Sequence, residues 1–248
     1  MRLLILGGTS EASALAAALA GRADIEATLS LAGRTTRPAP ARLPMRIGGF
    51  GGVTGLIAYL EAQRIEAVVD ATHPFAAQMS QNAVEACEAA NIPRLVFTRP
   101  QWEPRSGDRW IDVATMAEAA GALGAHPRAV FLAMGRLQLA AFAQAPQHRY
   151  LVRAIERSAD LDALPHHRLI LSRGPFPLAD EETLLRAENI EIVVSKNSGG
   201  AGAYAKIEAA RHLGLPVVMV RRPAKPNVAQ TTRLEEALAW LDAHRAAP

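Results

Sequence analysis

Gly7-Gly8-Thr9-Ser10-Glu11 follows the apolar run Leu3–Leu6 and opens directly into an Ala/Leu-rich helical pattern. A strand, a glycine turn and a helix N-terminus in that order present backbone N–H groups and a positive dipole end to a phosphate. The run departs from the dinucleotide pattern G-x-G-x-x-G, because Thr9 and Ala12 stand where glycines would. The hydroxyls of Thr9 and Ser10 therefore serve either a phosphate or the helix cap. The end of the second strand selects the nucleotide. An NAD site places a carboxylate there for the ribose hydroxyls, whereas this chain carries Arg34-Thr35-Thr36-Arg37. Two arginines and two hydroxyls suit a 2′-phosphate, the alternative being a solvated basic loop, so NADP is favoured over NAD. Gly48-Gly49-Phe50-Gly51-Gly52 is either a close backbone approach to the adenosine end of a ligand, with Gly51 in contact, or a flexible crossover.

Asp70-Ala71-Thr72-His73-Pro74-Phe75-Ala76 follows the fourth apolar run. In open α/β sheets ligands lie beyond the carboxyl ends of the strands, which places Thr72, His73 and Pro74 beside the cofactor. His73 either hydrogen-bonds the cofactor, shuttles a proton or is structural. Ser195-Lys196-Asn197-Ser198-Gly199-Gly200 repeats the strand–polar–glycine–helix arrangement later in the chain. Ammonium, amide, hydroxyl and backbone N–H groups on one loop suit an anionic ligand, carboxylate or phosphate; the plain alternative is a capped turn. Gly135-Arg136 is a similar, weaker site, and Arg221-Arg222 adds positive charge at the last strand end. No metal site is expected: the only cysteine is Cys87, which also excludes an internal disulfide, and the histidines show no ligand spacing. His166 and His167, on a strand, would face opposite ways.

These residues need a scaffold. Strands are expected at 3–6, 27–31, 44–47, 67–70, 95–98, 129–133, 150–154, 168–171, 191–194 and 216–220. Helices are expected near 10–20, 53–64, 75–90, 116–124, 137–144, 181–188, 203–213 and 232–243. Near-continuous Val/Ile/Leu strands alternating with amphipathic helices indicate parallel sheets covered on both faces, a doubly wound α/β fold. So many strands are too wide for a single sheet. The turn-rich segment Arg99–Asp108 marks the boundary, giving domains 1–100 and 101–248, with the last helix packing on either. Of 27 basic residues only Lys196, Lys206 and Lys225 are lysines, and the formal charge is +3. Dispersed arginines with 5% aromatics argue against nucleic acid and fit an anionic small molecule. No apolar run reaches the ~20 residues of a membrane span. Met1-Arg2 leads straight into a strand with no room for a signal peptide, so a cytoplasmic protein, monomeric or weakly self-associating, is expected.

Taken in order, Ile5–Ala12, Asp70–Ala76, Arg99-Pro100 with Trp102, Ser195–Gly200, Lys206, Ala209–Gly214 and Arg222-Pro223 resemble the precorrin-6A reductase family of corrin (vitamin B12) biosynthesis. The resemblance covers essentially the whole chain. It implies two Rossmann-like domains of mainly parallel sheets, an active site in the cleft between them, and NADPH-dependent reduction of one double bond of precorrin-6A to give precorrin-6B. Some members of the family act on the cobalt-containing analogue, and the motifs do not separate the two. A polycarboxylate tetrapyrrole calls for dispersed positive charge, from Arg99, Arg136, Lys196, Lys206, Arg221 and Arg222, with Asn197, Ser198, Gly199 and Gly200 completing the substrate loop. Gly7, Gly8, Thr9, Ser10, Glu11, Arg34, Thr35, Arg37, Gly51, Thr72, His73 and Pro74 are the expected cofactor contacts. His73 and Lys196 are the candidates for any proton donor, although a protonated macrocycle nitrogen removes the need for an essential acid. Two rivals are weighed. A short-chain dehydrogenase needs Tyr-x-x-x-Lys, and none of Tyr59, Tyr150 or Tyr204 has Lys four residues later. A noncatalytic NADP-binding sensor would not need the Ser195–Gly200 loop.

Overall fold

The computed structural model describes residues 1–33, 40–134, 136–157 and 159–245, without the side chains of Arg136 and Leu137. In chain order the first elements are β1 (Arg2–Leu6), α1 (Ser10–Leu19), β2 (Glu26–Leu31), β3 (Met45–Ile47), α2 (Gly52–Ala62), β4 (Ala67–Asp70), α3 (Ala77–Ala89) and β5 (Arg94–Phe97). Next come β6 (Trp110–Val113), α4 (Met116–Gly121), β7 (Ala129–Leu132), β8 (Arg149–Ala154), β9 (His167–Leu171), α5 (Leu178–Ala187), β10 (Ile192–Lys196), α6 (Ala205–His212) and β11 (Val217–Val220). The chain closes with β12 (Gln230–Thr231) and α7 (Leu234–His244). Two compact units result, Met1–Pro100 with Pro223–Pro248, and Gln101–Arg222.

The first unit is a six-stranded sheet in the order β3-β2-β1-β4-β5-β12, with every pair parallel. Alternation along β1 sorts its residues between two cores. Leu3 and Ile5 join Leu15 and Leu19 of α1 and Ala237 and Leu241 of α7. Leu4 and Leu6 join Leu56 and Leu60 of α2 and Ala83, Ala86 and Cys87 of α3. The second unit repeats the order as β9-β8-β7-β10-β11-β6, again parallel throughout. One face packs Phe131, Leu151, Val193, Val217 and Met219 against Leu185 of α5 and Ile207 of α6. On the other, Tyr150 donates to the carbonyls of Phe142 (3.3 Å), in a 3-10 segment spanning Arg136–Gln144, and of Ala145 (2.7 Å), just after it. Both sheets thus have the doubly wound Rossmann-like order 3-2-1-4-5-6, each borrowing its sixth strand from an out-of-turn segment.

Those borrowed strands were not legible. β6 carries Asp112 and exposed positions, and β12 is two residues long. Residues 223–231, placed with the second domain on sequence, belong to the first unit, and so does the last helix, left open between the two on sequence, because α7 buries Ala237 and Leu241 against β1 and α1. The helix expected from residue 75 begins at Ala77, since Ala76 N–H closes a turn on the His73 carbonyl at 2.8 Å. Residues 137–144 form 3-10 rather than α-helical turns.

Asp70 ends the central strand β4 at 1% exposure. Its carboxylate accepts from Thr72 N–H (3.0 Å), the Thr72 hydroxyl (2.6 Å) and the Ser80 hydroxyl (2.6 Å). A buried carboxylate needs such partners, and these fasten the start of α3 to the strand end. Asp70→Ala leaves two buried hydroxyls and an N–H without their acceptor, at a cost of about 3 kcal/mol by urea unfolding. Asp70→Asn, which keeps the shape, should cost less than half of that. A loss under about 0.5 kcal/mol in the alanine variant would show that the network does not hold the strand end.

Candidate active site

In each sheet the strand order reverses at one crevice, between β1 and β4 in the first unit and between β7 and β10 in the second. Open α/β sheets bind ligands at the carboxyl ends beside that reversal, and the motifs picked out on sequence flank both.

In the first unit the glycine turn follows β1. A Cβ on Gly7 would lie 2.5 Å from Leu29 Cδ1, so the turn packs tightly on β2. Gly8 has φ +113°, and a Cβ there would meet nothing within 4 Å. The backbone is thus pressed down at one glycine and open at the next, as close approach by a phosphate requires. Thr9 is the N-cap of α1: its hydroxyl accepts from Ala12 N–H at 3.2 Å and donates to the Ala71 carbonyl at 2.7 Å. The choice left open on sequence resolves toward the cap, and this bond ties the β1 turn to the β4 turn. Ser10 Oγ donates to the Glu11 carboxylate at 3.2 Å. Glu11, an anion in the first helical turn, is paired with Arg99 Nη1 at 2.8 Å. Arg99, assigned on sequence to the substrate, therefore sits beside the glycine turn and cancels the Glu11 charge, which would repel an anion.

At the end of β4, Thr72 turns its hydroxyl inward to Asp70, while His73 Nδ1 accepts from Phe75 N–H at 3.2 Å. With Nδ1 accepting, the proton of the neutral ring lies on Nε2. Pro74 lies within this turn. Gly51 is the left-handed cap of α2. Arg34, Thr35 and Arg37 lie outside the described residues.

In the second unit the Ser195–Gly200 loop leaves β10 and is held by its own backbone. Arg222 donates from Nε to the Asn197 carbonyl (2.9 Å) and from Nη2 to the Ser198 carbonyl (3.1 Å). Asn197 spends its side-chain amide on Trp102, accepting from its N–H and donating to its carbonyl, both at 2.8 Å. The Trp102 indole N–H donates to the Gly200 carbonyl at 2.7 Å. Asn197 and Arg222, expected as substrate contacts, thus shape the loop, which keeps Arg222's charge beneath it. Gly199 and Gly200 have φ of 69° and 72°. Lys196 is half-buried at the strand end. Gly135 and the side chain of Arg136 fall outside the described residues.

Lys206 turns inward. At 3% exposure, its Nζ donates to the Ala203 carbonyl at 2.7 Å and lies 5.1 Å from the Trp102 ring centroid. Burial, with Arg153 and Lys196 adding repulsion against attraction from Glu181, holds its pKa down to about 7. Arg153 and Glu181 form a buried bidentate ion pair, with Nη2–Oε2 at 2.9 Å and the guanidinium 3.7 Å from the Phe176 ring centroid. Sequence reasoning missed this pair, since Glu181 stands among three consecutive acids, Asp180-Glu181-Glu182, that read together as a solvated helical turn. It also missed Arg46, whose position before the Gly48–Gly52 run was the available clue. Among the described residues no group of three or more His, Cys, Asp or Glu side chains is placed to hold a metal ion, and no helix is long and apolar enough to cross a membrane.

Residues 2–242 match the model of the family described as precorrin-6x reductase CbiJ/CobK. The chain belongs to this family. It is an oxidoreductase of cobalamin biosynthesis, and a reductase built on Rossmann-like sheets points to a nicotinamide cofactor. Over its full length the chain is 49% identical to a precorrin-6A reductase of Rhodobacter capsulatus, covering 98% of that protein. It is 29% identical to a cobalt-precorrin-6A reductase of Priestia megaterium, with 89% of this chain and 90% of that one covered. A solved structure titled CobK precorrin-6A reductase superposes with a TM-score of 0.94 at 49% identity, covering all of this chain and 98% of that one.

Lys206 sets a measurable pH dependence. The unfolded lysine keeps its proton to about 10.5 and the folded one to about 7. Between these values the unfolded chain binds more protons, so this residue makes stability rise with pH. Lys206→Met should remove that rise in urea unfolding series run from pH 7 to 10. The same slope in both proteins would contradict the assignment.

Proposed function

We propose that this chain reduces one double bond of metal-free precorrin-6A with NADPH, giving precorrin-6B. The observation carrying the metal-free substrate is the full-length 49% identity with a precorrin-6A reductase, against 29% with a cobalt-precorrin-6A reductase. The Gly7–Glu11 turn would hold the pyrophosphate: Gly8 is open, α1 directs its N-terminus there, and Arg99 neutralises Glu11. Arg34, Thr35 and Arg37 are proposed for the 2′-phosphate, and Gly51, Thr72 and Pro74 for contacts along the cofactor. Bound there, NADPH supplies a hydride.

The rest of the work is positioning. His73, with its Nδ1 accepting from Phe75 N–H, stands at the strand end as a contact for the cofactor. Lys196 and the loop of Ser198, Gly199 and Gly200 hold substrate carboxylates, over the positive charge that Arg222 fixes below; Arg136 would add to it. Asn197 keeps that loop from collapsing by binding both backbone groups of Trp102. The substrate's own protonated nitrogen accepts the electron pair, so the second hydrogen can come from water, His73 or Lys196. Neither side chain is then indispensable: alanine at either should slow turnover without abolishing it, and a dead variant that still binds both ligands would refute this part.

The direct test mixes the enzyme with NADPH and metal-free precorrin-6A. NADPH loss matched by a gain of two hydrogens in product mass is expected. Turnover of the cobalt-containing analogue alone would reassign the substrate, and NADPH binding with no turnover of either would leave a sensor. Within the same assay, Arg99→Ala exposes the Glu11 carboxylate and should weaken NADPH about fivefold. Adding Glu11→Gln to that variant should restore most of the loss; a double variant as weak as the single one would show that charge at this turn is irrelevant.

A further inference from the structure

Between Glu26 and Glu61 the chain has no acidic residue but four arginines, Arg34, Arg37, Arg42 and Arg46. Among the described residues, Arg46 has its guanidinium built into the first unit. It lies on β3 in register with Ser30 of β2, and its Nη1 donates to Ser30 Oγ at 2.8 Å. That places the charge at the carboxyl end of the second strand, where doubly wound folds handle the ribose 2′ position. The group is locked in place. Nη1 also donates to the Gly48 carbonyl at 3.0 Å and Nη2 to the Gly49 carbonyl at 3.1 Å. Its plane lies 3.9 Å from the Phe50 ring centroid and 5.1 Å from that of Tyr59. The Phe50 carbonyl in turn sits where a Cβ on residue 55 would lie, 1.7 Å away, so Gly55 lets the turn close on α2.

These bonds use both Nη1 hydrogens and one on Nη2. Among the described residues, no acceptor engages Nε–H or the second Nη2 hydrogen. An arginine fixed by stacking and by three acceptors loses little entropy on binding an anion, and its remaining fork suits phosphate oxygens. We infer that Arg46 is a specificity-determining residue that selects a 2′-phosphorylated adenosine over its unphosphorylated counterpart. The inference rests on the NADPH reading above and adds to it a residue outside the 34–37 segment. It also gives the Gly48–Gly52 run a function: its first carbonyls hold the guanidinium at the ribose position.

The test compares two fragments by calorimetry on the full chain, adenosine 2′,5′-bisphosphate and AMP. The wild-type protein should bind the bisphosphate more tightly; equal affinities would overturn the NADPH reading itself. Arg46→Gln retains an amide donor for the glycine carbonyls and loses the charge. It should weaken the bisphosphate about 10- to 100-fold and change AMP by less than about twofold. Arg46→Lys, which keeps the charge without the fork, should retain part of the preference and carries the same comparison if the glutamine variant does not fold. With the wild-type preference established, equal weakening of both fragments would reduce Arg46 to a structural support for the turn. No weakening of either would remove it from the site. Both results overturn the inference.

Discussion

A parallel sheet covered by helices on both faces has only its strand ends for chemistry, and everything polar in this protein is organised by that limit. Along β1, β4, β7 and β10 nearly every side chain is buried and apolar. At the carboxyl ends the backbone must leave the ladder, and each polar group that appears there has to be satisfied or exposed. The chain satisfies most of them internally. Asp70 is met by Thr72 and Ser80, Thr9 by Ala71 and Ala12, and Asn197 by Trp102. What is left for ligands is open backbone and fixed positive charge.

This division explains why several short polar side chains at the strand ends bond to the protein itself. A short polar side chain at a strand end has a loop within reach and bonds to it first. Thr9, Thr72 and Asn197 all do so. Long basic side chains divide by depth. Arg222 reaches carbonyls under the loop, whereas Lys206 is drawn into the core beside Trp102 and held near neutrality by burial. On the proposed reading, charge would reach the ligand from behind, fixed by bonds to the protein, which is the arrangement that costs least reorganisation on binding.

Much of this was legible in the sequence. Continuous Val/Ile/Leu runs announced buried parallel strands, and the glycine turns read from the sequence after β1 and β10 stand at carboxyl ends beside the strand-order reversals. The remainder depended on partners distant in sequence. β6 and β12 complete sheets whose other strands lie elsewhere in the chain; the short apolar run of β6 is broken by Asp112, and β12 is only two residues long. The bond between Asn197 and Trp102 joins residues 95 apart, and the Arg153–Glu181 pair joins β8 to α5. Arg99 was a candidate substrate contact because a polycarboxylate calls for dispersed positive charge; its partnership with Glu11, 88 residues earlier, is a tertiary fact. The Arg34–Arg37 segment, which carried the preference for NADP on sequence, lies outside the described residues.

The central claim is that a nicotinamide held at the first unit's glycine turn delivers its hydride directly to the tetrapyrrole. Isotope transfer tests it most directly. NADPH deuterated at both hydrogens of nicotinamide C4, turned over with metal-free precorrin-6A in ordinary water, should give product carrying one deuterium per molecule. Product formed without deuterium would contradict the account, because the reducing hydrogen would then have come from another source.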